Sequence, residues 1–428
     1  MKGIFYLTFN GIFNYTNGIG TQTKLLLDGF DFFKDKLENN YGNIKLNIIT
    51  PKYNKNFPSY SYYDSKYSKD KIKSVDGNIF FCKNSKRIRD FWTTGYWHSL
   101  SRESAEIIKK ESVKYNEVLV ICIDMPFLQT PIYFYKSNQS NVNIKWVLCP
   151  YSSSYIHDKD CLNHKRLEWE NTGFLYTKFN ENVYIAKVCN FLEEHFINNY
   201  KIPKDRFVLY ESSLFLQSRD FIKLTKTRIK QILLENKIPL DKKIIFSFGR
   251  AVWVKGLDVL INSIPYIKEK VHIVIIAVSP PGEKSEYKNY KRILSFQESS
   301  FTFISSFTRL LPQALCQWDN TKIVVCPSRG EPFSNIPLEV SIWAKTHGPV
   351  VLASNIEGYL EQIKDAYNGF LFKVGSYKDL ANKINYILSI KSNKLEDIKQ
   401  KAYKKVIKER DFFENFNKTL KEFWTFKK

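Results

Sequence analysis

No apolar stretch in this 428-residue chain reaches the roughly 20 residues a bilayer-spanning helix needs. Seven cysteines (82, 122, 149, 161, 189, 316, 326) are scattered without C-x-x-C spacing, which argues against a zinc site or disulfide framework. Cys122, Cys149 and Cys326 lie in or at the ends of apolar runs and read as reduced core thiols. Met1–Phe9 has only a short apolar run and no small-residue cleavage site close behind it. It reads as a first buried strand rather than a signal peptide. Sequence repeats and low-complexity linkers are lacking as well. Acidic residues are scarce: 43 Asp and Glu against 65 Lys and Arg leave a formal charge of +22. That balance suits anionic partners, namely nucleotides, lipid head groups or nucleic acid, while general solvation in an Asn-, Ile- and Tyr-rich background also accounts for it. What remains is a globular composition, 43% hydrophobic, in a chain of about two to three domains by length. The expected location is the cytoplasm, with peripheral attachment to an anionic membrane as the extension the charge suggests.

The most informative segment runs from Lys322 to Val340, KIVVCPSRGEPFSNIPLEV. Ile323-Val324-Val325 reads as a buried strand that Pro327 ends. Asn335 or Ser334 can cap a following helix, and Pro337 suits its first turn, where a missing N–H costs nothing. A helix N-terminus after a strand offers free N–H groups and partial positive charge to a phosphate. Glu331 on the loop and Glu339 in the first turn would repel that phosphate, so they are better read as acceptors for hydroxyls. The site suits a phosphorylated, hydroxyl-rich ligand.

Strand-like and helix-like segments alternate along the chain. Expected strands are Gly3–Phe9, Ile44–Thr50, Val118–Asp124, Ile144–Leu148 and Val183–Val188, then Ile244–Phe248, Val271–Val278, Phe301–Ser305, Ile323–Cys326, Val350–Ala353 and Phe370–Phe372. Thr21–Phe33 and His98–Glu111 are helical candidates between them, and Lys/Tyr/Ser-rich 52–76 reads as a loop insertion. This alternation predicts α/β architecture, with two parallel, doubly wound Rossmann-like domains. The expected boundaries are 1–211, with Glu211-Ser-Ser as the break, 212–405 and 406–428. The last segment carries Phe412, Phe413, Phe416, Leu420 and Phe423 at helical spacing.

Glu331 and Glu339, with Pro-Phe-Ser-Asn after the first, resemble the E-x7-E signature of family 4 retaining glycosyltransferases with the GT-B fold. Gly249-Arg250 followed by Lys255-Gly256 is similar to that family's Gly-Arg…Lys-Gly element. Gly348-Pro-Val-Val, Glu357-Gly358, Glu361 and Asn368-Gly369 follow in the family's order. The resemblance covers most of residues 240–390 and is weak before them. It implies two domains facing a cleft, a final helix returning to the N-terminal domain, and transfer of a hexose from a nucleotide diphosphate sugar to an acceptor hydroxyl. The resemblance implies a UDP-sugar ahead of a GDP- or ADP-sugar, no separate cofactor, and a saccharide or lipid-linked acceptor, with cell-envelope glycan synthesis as the setting.

The implied roles fall on particular residues. Arg250 and Lys255 would hold the diphosphate and replace a metal ion, beside the helix start at Phe333, Ser334 and Asn335. Glu339 would accept from ribose hydroxyls and Glu331 from the donor sugar. Gly20, within Gly18-Ile-Gly20-Thr21, resembles the family's N-terminal glycine loop, where a bare backbone approaches the ligand closely. His157 corresponds to a histidine near the reacting carbon, though it lies farther from its strand than is usual. Asp158-Lys-Asp160 matches the metal-binding D-x-D of a different fold and reads as coincidence. Ser334 stands where many members have glycine, and Glu211-Ser-Ser replaces the usual Asn-Gly before the interdomain connection. Two alternatives stay open: another GT-B enzyme such as a sugar-nucleotide epimerase, and a basic nucleic-acid-binding protein on a degenerate scaffold. The latter would need a clustered basic face with interleaved aromatics.

Overall fold

The computed structural model describes residues 1–15, 18–53, 60–83, 93–136, 142–157, 163–279, 285–295, 300–306, 308 and 310–426. The chain divides into two compact units, Met1–Phe215 with Phe412–Lys428, and Leu216–Asp411. The divisions at 215/216 and 411/412 fall a few residues beyond the sequence reading's 211/212 and 405/406. The later one has a clear cause. Helix Ser392–Glu409 buries Ile398, Ala402 and Val406 within the second unit, so the chain leaves that unit only after it ends.

The first unit is built on a seven-stranded sheet in the order β3-β2-β1-β4-β5-β6-β7. Its strands are β1 (Lys2–Leu7), β2 (Ile44–Pro51), β3 (Asn78–Cys82), β4 (Glu117–Ile123), β5 (Asn143–Cys149), β6 (Val183–Lys187) and β7 (Phe207–Leu209). All neighbours are parallel. Helices join consecutive strands, and a sheet covered on both faces explains continuous apolar runs such as Val118–Ile123 in β4. Helix Phe412–Lys421 packs on this unit. Its Phe412 ring fills the space beside Gly29, where a Cβ would lie 2.3 Å from it, and Tyr41 Oη donates to Asn417 Oδ1 at 2.7 Å.

The second unit has a six-stranded sheet, β10-β9-β8-β11-β12-β13. The strands are β8 (Lys243–Arg250), β9 (Val271–Val278), β10 (Phe301–Ile304), β11 (Thr321–Cys326), β12 (Val350–Ser354) and β13 (Phe370–Phe372). Successive residues enter different cores: Ile245, Ile273 and Val325 join one cluster, Phe246, Val274 and Val324 the other. Period-two alternation thus builds a core on each face of one sheet. In each unit the strand order reverses direction once, between β1 and β4 and between β8 and β11. Such switch points are where open parallel sheets bind ligands, beyond the carboxyl ends of the strands.

The sequence reading failed in two places here. The edge strands β3 and β7 are absent from it. Residues 62–74 of the expected loop insertion form helix Tyr62–Ser74, started by Ser61 Oγ accepting from Asp64 N–H at 3.1 Å. Its buried side is Ser65, Ser68 and Ile72, which gives almost no apolar periodicity to read. Among the described residues, no helix is long and apolar enough to cross a membrane.

Candidate active site

Four elements meet at the carboxyl ends of β8 and β11 in the second unit. β8 finishes at Gly249-Arg250, and Arg250 is exposed, without a side-chain hydrogen bond or ion pair among the described residues. The chain then makes a single 3₁₀ turn, Trp253–Lys255, and reverses at Gly256 before helix Leu257–Ser263. Gly256 has φ +61°, and a Cβ there would lie 2.0 Å from the Pro327 carbonyl oxygen. Both the left-handed backbone and the approach to the loop after β11 therefore demand glycine.

That approach lets the two loops lock together. Arg329 N–H donates to the Val254 carbonyl at 2.7 Å. The Arg329 guanidinium forks onto Asp258 at 2.8 and 2.5 Å, donates to the Trp253 carbonyl at 2.9 Å, and lies 4.8 Å over the Trp253 ring. Bonding to Asp258 raises the already high pKa of Arg329. Lys255 Nζ, presented by the same turn, pairs with Glu331 across the loops. The pair is only partly exposed, 20% and 11% for the two side chains. Burial pushes the neighbouring Cys326 thiol up to about 12, with the Lys255 charge opposing that shift and the Glu331 charge adding to it.

Downstream, Gly358 lets the Glu331–Pro332 backbone rest on the start of helix Glu357–Gln362, since a Cβ would lie 2.1 Å from the Glu331 carbonyl oxygen. Phe333 stacks under the Arg410 guanidinium at 4.9 Å, and Arg410 also meets Glu361 at 3.5 Å. Ser334, 5% exposed, supplies the cap: its Oγ accepts from Ile336 N–H at 3.3 Å. Asn335 occupies the cap position of helix Ile336–Trp343 but makes no side-chain capping bond, and Pro337 sits in the first turn. Glu339 follows in that turn, half-buried, with its N–H bonded to the Asn335 carbonyl at 2.9 Å. Its charge reinforces the burial that holds the Cys316 thiol well above its usual range.

The structure thus places Arg250, Lys255, Glu331, Phe333, Ser334, Asn335 and Glu339 around one switch point. Among these seven residues it differs from the sequence reading in one respect. Lys255 and Glu331, expected to serve phosphate and sugar separately, neutralise each other, and Arg250 is left unengaged among the described residues. Gly20 belongs to the first unit and lies inside helix Gly18–Tyr41, buried, rather than in a loop before a helix. The glycine that shapes that loop is Gly11, φ +102°, packed against Thr23. His157 closes the short helix Ser154–His157; its side chain, with Asp158 and Asp160, lies outside the described residues. The Arg329–Asp258 clamp had no signal in the sequence.

The model of the family described as "Glycosyl transferases group 1" matches residues 229–405. A Campylobacter jejuni N,N'-diacetylbacillosaminyl-diphospho-undecaprenol alpha-1,3-N-acetylgalactosaminyltransferase is 24% identical over 290 residues, covering 65% of this chain and 72% of that protein. Among solved structures, sucrose-phosphate synthase from Thermosynechococcus elongatus superposes with a TM-score of 0.73 at 14% identity, over 99% of this chain and 98% of that one. Anabaena HepE in complex with UDP and glucose gives 0.70 at 14% identity, over 98% of each chain. With two Rossmann-like units and a match to the group 1 glycosyl transferase model over residues 229–405 of the second, the chain carries a group 1 glycosyl transferase domain and has the GT-B fold.

Proposed function

We propose that this glycosyltransferase moves a hexose from a UDP-sugar to an acceptor hydroxyl on a lipid-linked or envelope saccharide, with retention at the anomeric carbon and without a metal ion. The observation that carries this reading is the meeting of Arg250, the Lys255–Glu331 pair and the start of helix Ile336–Trp343 at one switch point. Breaking a glycosyl–phosphate bond leaves extra negative charge on the diphosphate, and fixed cations and dipoles stabilise it. A cation about 4 Å from a phosphate charge is worth roughly 4 kcal/mol at an effective dielectric near 20. Arg250 and Lys255 supply two such charges from different loops. Lys255 then turns from Glu331 toward the phosphate, which frees Glu331 to accept hydrogen bonds from the sugar. Glu339 accepts from the ribose. Similarity to a transferase named for a diphospho-undecaprenol substrate supports a lipid-linked acceptor.

The test is a thermal-shift panel of UDP-, GDP- and ADP-sugars, since a ligand of the folded state raises its apparent stability. Product analysis with the donor that stabilises most would follow. The reading predicts a UDP-sugar, a product of unchanged anomeric configuration, and activity that survives EDTA. Inversion would reject retention, and loss in EDTA reversed by a divalent cation would reject the phosphate site described. Release of an altered sugar without any acceptor would favour an epimerase instead.

A further inference from the structure

In the first unit, four consecutive residues just beyond β5 are each held by a different polar side chain. The Tyr151 N–H faces the Asp124 carboxylate. Arg166 Nη2 donates to Ser152 Oγ at 3.0 Å. Ser153 Oγ and His195 Nε2 lie 2.8 Å apart. The Ser154 N–H donates to both oxygens of Glu170, at 3.1 and 3.0 Å. The anchors come from three places: the exit of β4, helix His164–Phe179 and helix Asn190–Tyr200. They are braced in turn. Arg166 Nε donates to Glu170 Oε1 at 2.8 Å, Tyr200 Oη to Glu170 Oε2 at 2.5 Å, and Asn199 Nδ2 lies 3.1 Å from His195 Nδ1.

Such an arrangement is costly for a loop. Glu170 is fully buried, Asp124 5% exposed and His195 9% exposed. A buried charge is tolerated only when it is paired and hydrogen-bonded. Asp124 also holds φ +65° with ψ 179°, a backbone region that suits glycine and costs other residues about 1–3 kcal/mol. Its Oδ1 has no hydrogen-bond partner among the described residues. Burial raises the Asp124 pKa, and the Arg166 charge opposes that rise. Strain and buried charge of this kind concentrate where the position of a segment matters for function.

We propose that Asp124, Arg166, Glu170 and His195 are positioning residues for the transfer reaction, fixing the backbone of Tyr151–Ser154 so that helix Ser154–His157 is presented in one place. The proposal rests on the transferase reading above. It goes beyond it, because none of the four belongs to the donor site in the second unit.

Glu170→Gln keeps the shape and an acceptor oxygen but removes the charge that faces Arg166. Ser152→Ala/Ser153→Ala removes two anchors with little threat to folding. Both are compared with wild type for turnover per folded molecule and for UDP affinity. The donor is the active UDP-sugar, and the acceptor probe is a short-chain polyprenyl-diphospho-N-acetylhexosamine. Misplacement of a reacting segment should lower kcat by about 100-fold, with the UDP dissociation constant within about twofold. Glu170→Gln and His157→Ala should be non-additive in kcat, because both act on the same segment. Turnover per folded molecule within about threefold of wild type, whatever the melting temperature, would reduce the network to a structural one and overturn the proposal. So would additive losses. A wild-type protein that binds no nucleotide would instead overturn the transferase reading, and this inference with it.

Discussion

Lys255 and Glu331 are the residues on which the proposed donor site turns, because the structure pairs two groups that the sequence assigns to different parts of a ligand. Their pairing gives a signed prediction. Removing Lys255 leaves the Glu331 carboxylate uncompensated beside the expected diphosphate, so Lys255→Ala should weaken UDP binding more than Arg250→Ala does. Charged hydrogen bonds are worth about 1.5–3 kcal/mol, so roughly tenfold to a hundredfold is expected for Lys255→Ala. The double variant Lys255→Ala/Glu331→Ala should recover part of that loss, since the repelling charge goes as well. Titration calorimetry of the three variants checks this. A double variant weaker than Lys255→Ala would show that Glu331 does not oppose the phosphate. Arg250, Lys255, Glu331, Phe333, Ser334, Asn335 and Glu339 were legible in the sequence, because each stands in a short spaced motif, whereas Arg329, Asp258 and Arg410 were not. Nor were the pairings: Lys255 and Glu331 are 76 positions apart, and Arg329 and Asp258 are 71. Only the folded path past Gly256 brings these loops together.

At the scale of elements, legibility followed burial. β4 and β9 are covered on both faces, so their apolar runs announce them. β3 and β7 lie at the two ends of the first sheet with one neighbour each, and their apolar runs, Ile79–Cys82 and Phe207–Leu209, are short. Helix Tyr62–Ser74 hides for a related reason, burying serines where an apolar stripe would be expected. One strand pair also carries a pH prediction. His272 on β9 is 4% exposed, between Ser300 Oγ at 2.7 Å and Thr302 Oγ1 at 2.9 Å. Burial, with Lys242 nearby, lowers its pKa from 6.5 to about 4. The unfolded chain therefore takes up a proton first as the solution is acidified. The stability this histidine contributes is complete above pH 6.5 and is lost as pH falls from 6.5 toward 4. The loss amounts to about 3 kcal/mol, because each tenfold difference in proton affinity between the folded and unfolded chain is worth about 1.4 kcal/mol. Melting temperature against pH should fall less steeply across that window for His272→Asn than for wild type. Parallel curves would contradict the assignment.

For the whole molecule, the formal charge of +22 and the expected lipid-linked acceptor point to the same kind of surface. Helix Tyr62–Ser74 exposes Tyr62 and Tyr63, 61% and 81%, together with Lys66, Lys69 and Lys73. Aromatic rings and lysines suit a membrane interface, where each lysine near an anionic leaflet adds about 1 kcal/mol. Co-sedimentation with phosphatidylserine vesicles should weaken with salt, and should drop when Lys66, Lys69 and Lys73 become glutamate. Association indifferent to acidic lipid and to salt would leave the charge as solvation alone. Tight, salt-sensitive nucleic-acid binding without sugar transfer would favour the degenerate-scaffold reading instead.

The claim that everything else depends on is a nucleotide-sugar site on the second unit, built without a metal. Calorimetric titration of UDP into wild type and Glu339→Ala, both in EDTA, tests it most directly. Saturable binding is predicted for wild type. In Glu339→Ala it should be weaker by roughly tenfold or more, because each lost hydrogen bond to a charged acceptor costs about 1.5–3 kcal/mol before water compensates, while the melting temperature stays nearly unchanged. Equal affinity in a well-folded Glu339→Ala, or no UDP binding in EDTA at all, would contradict the account.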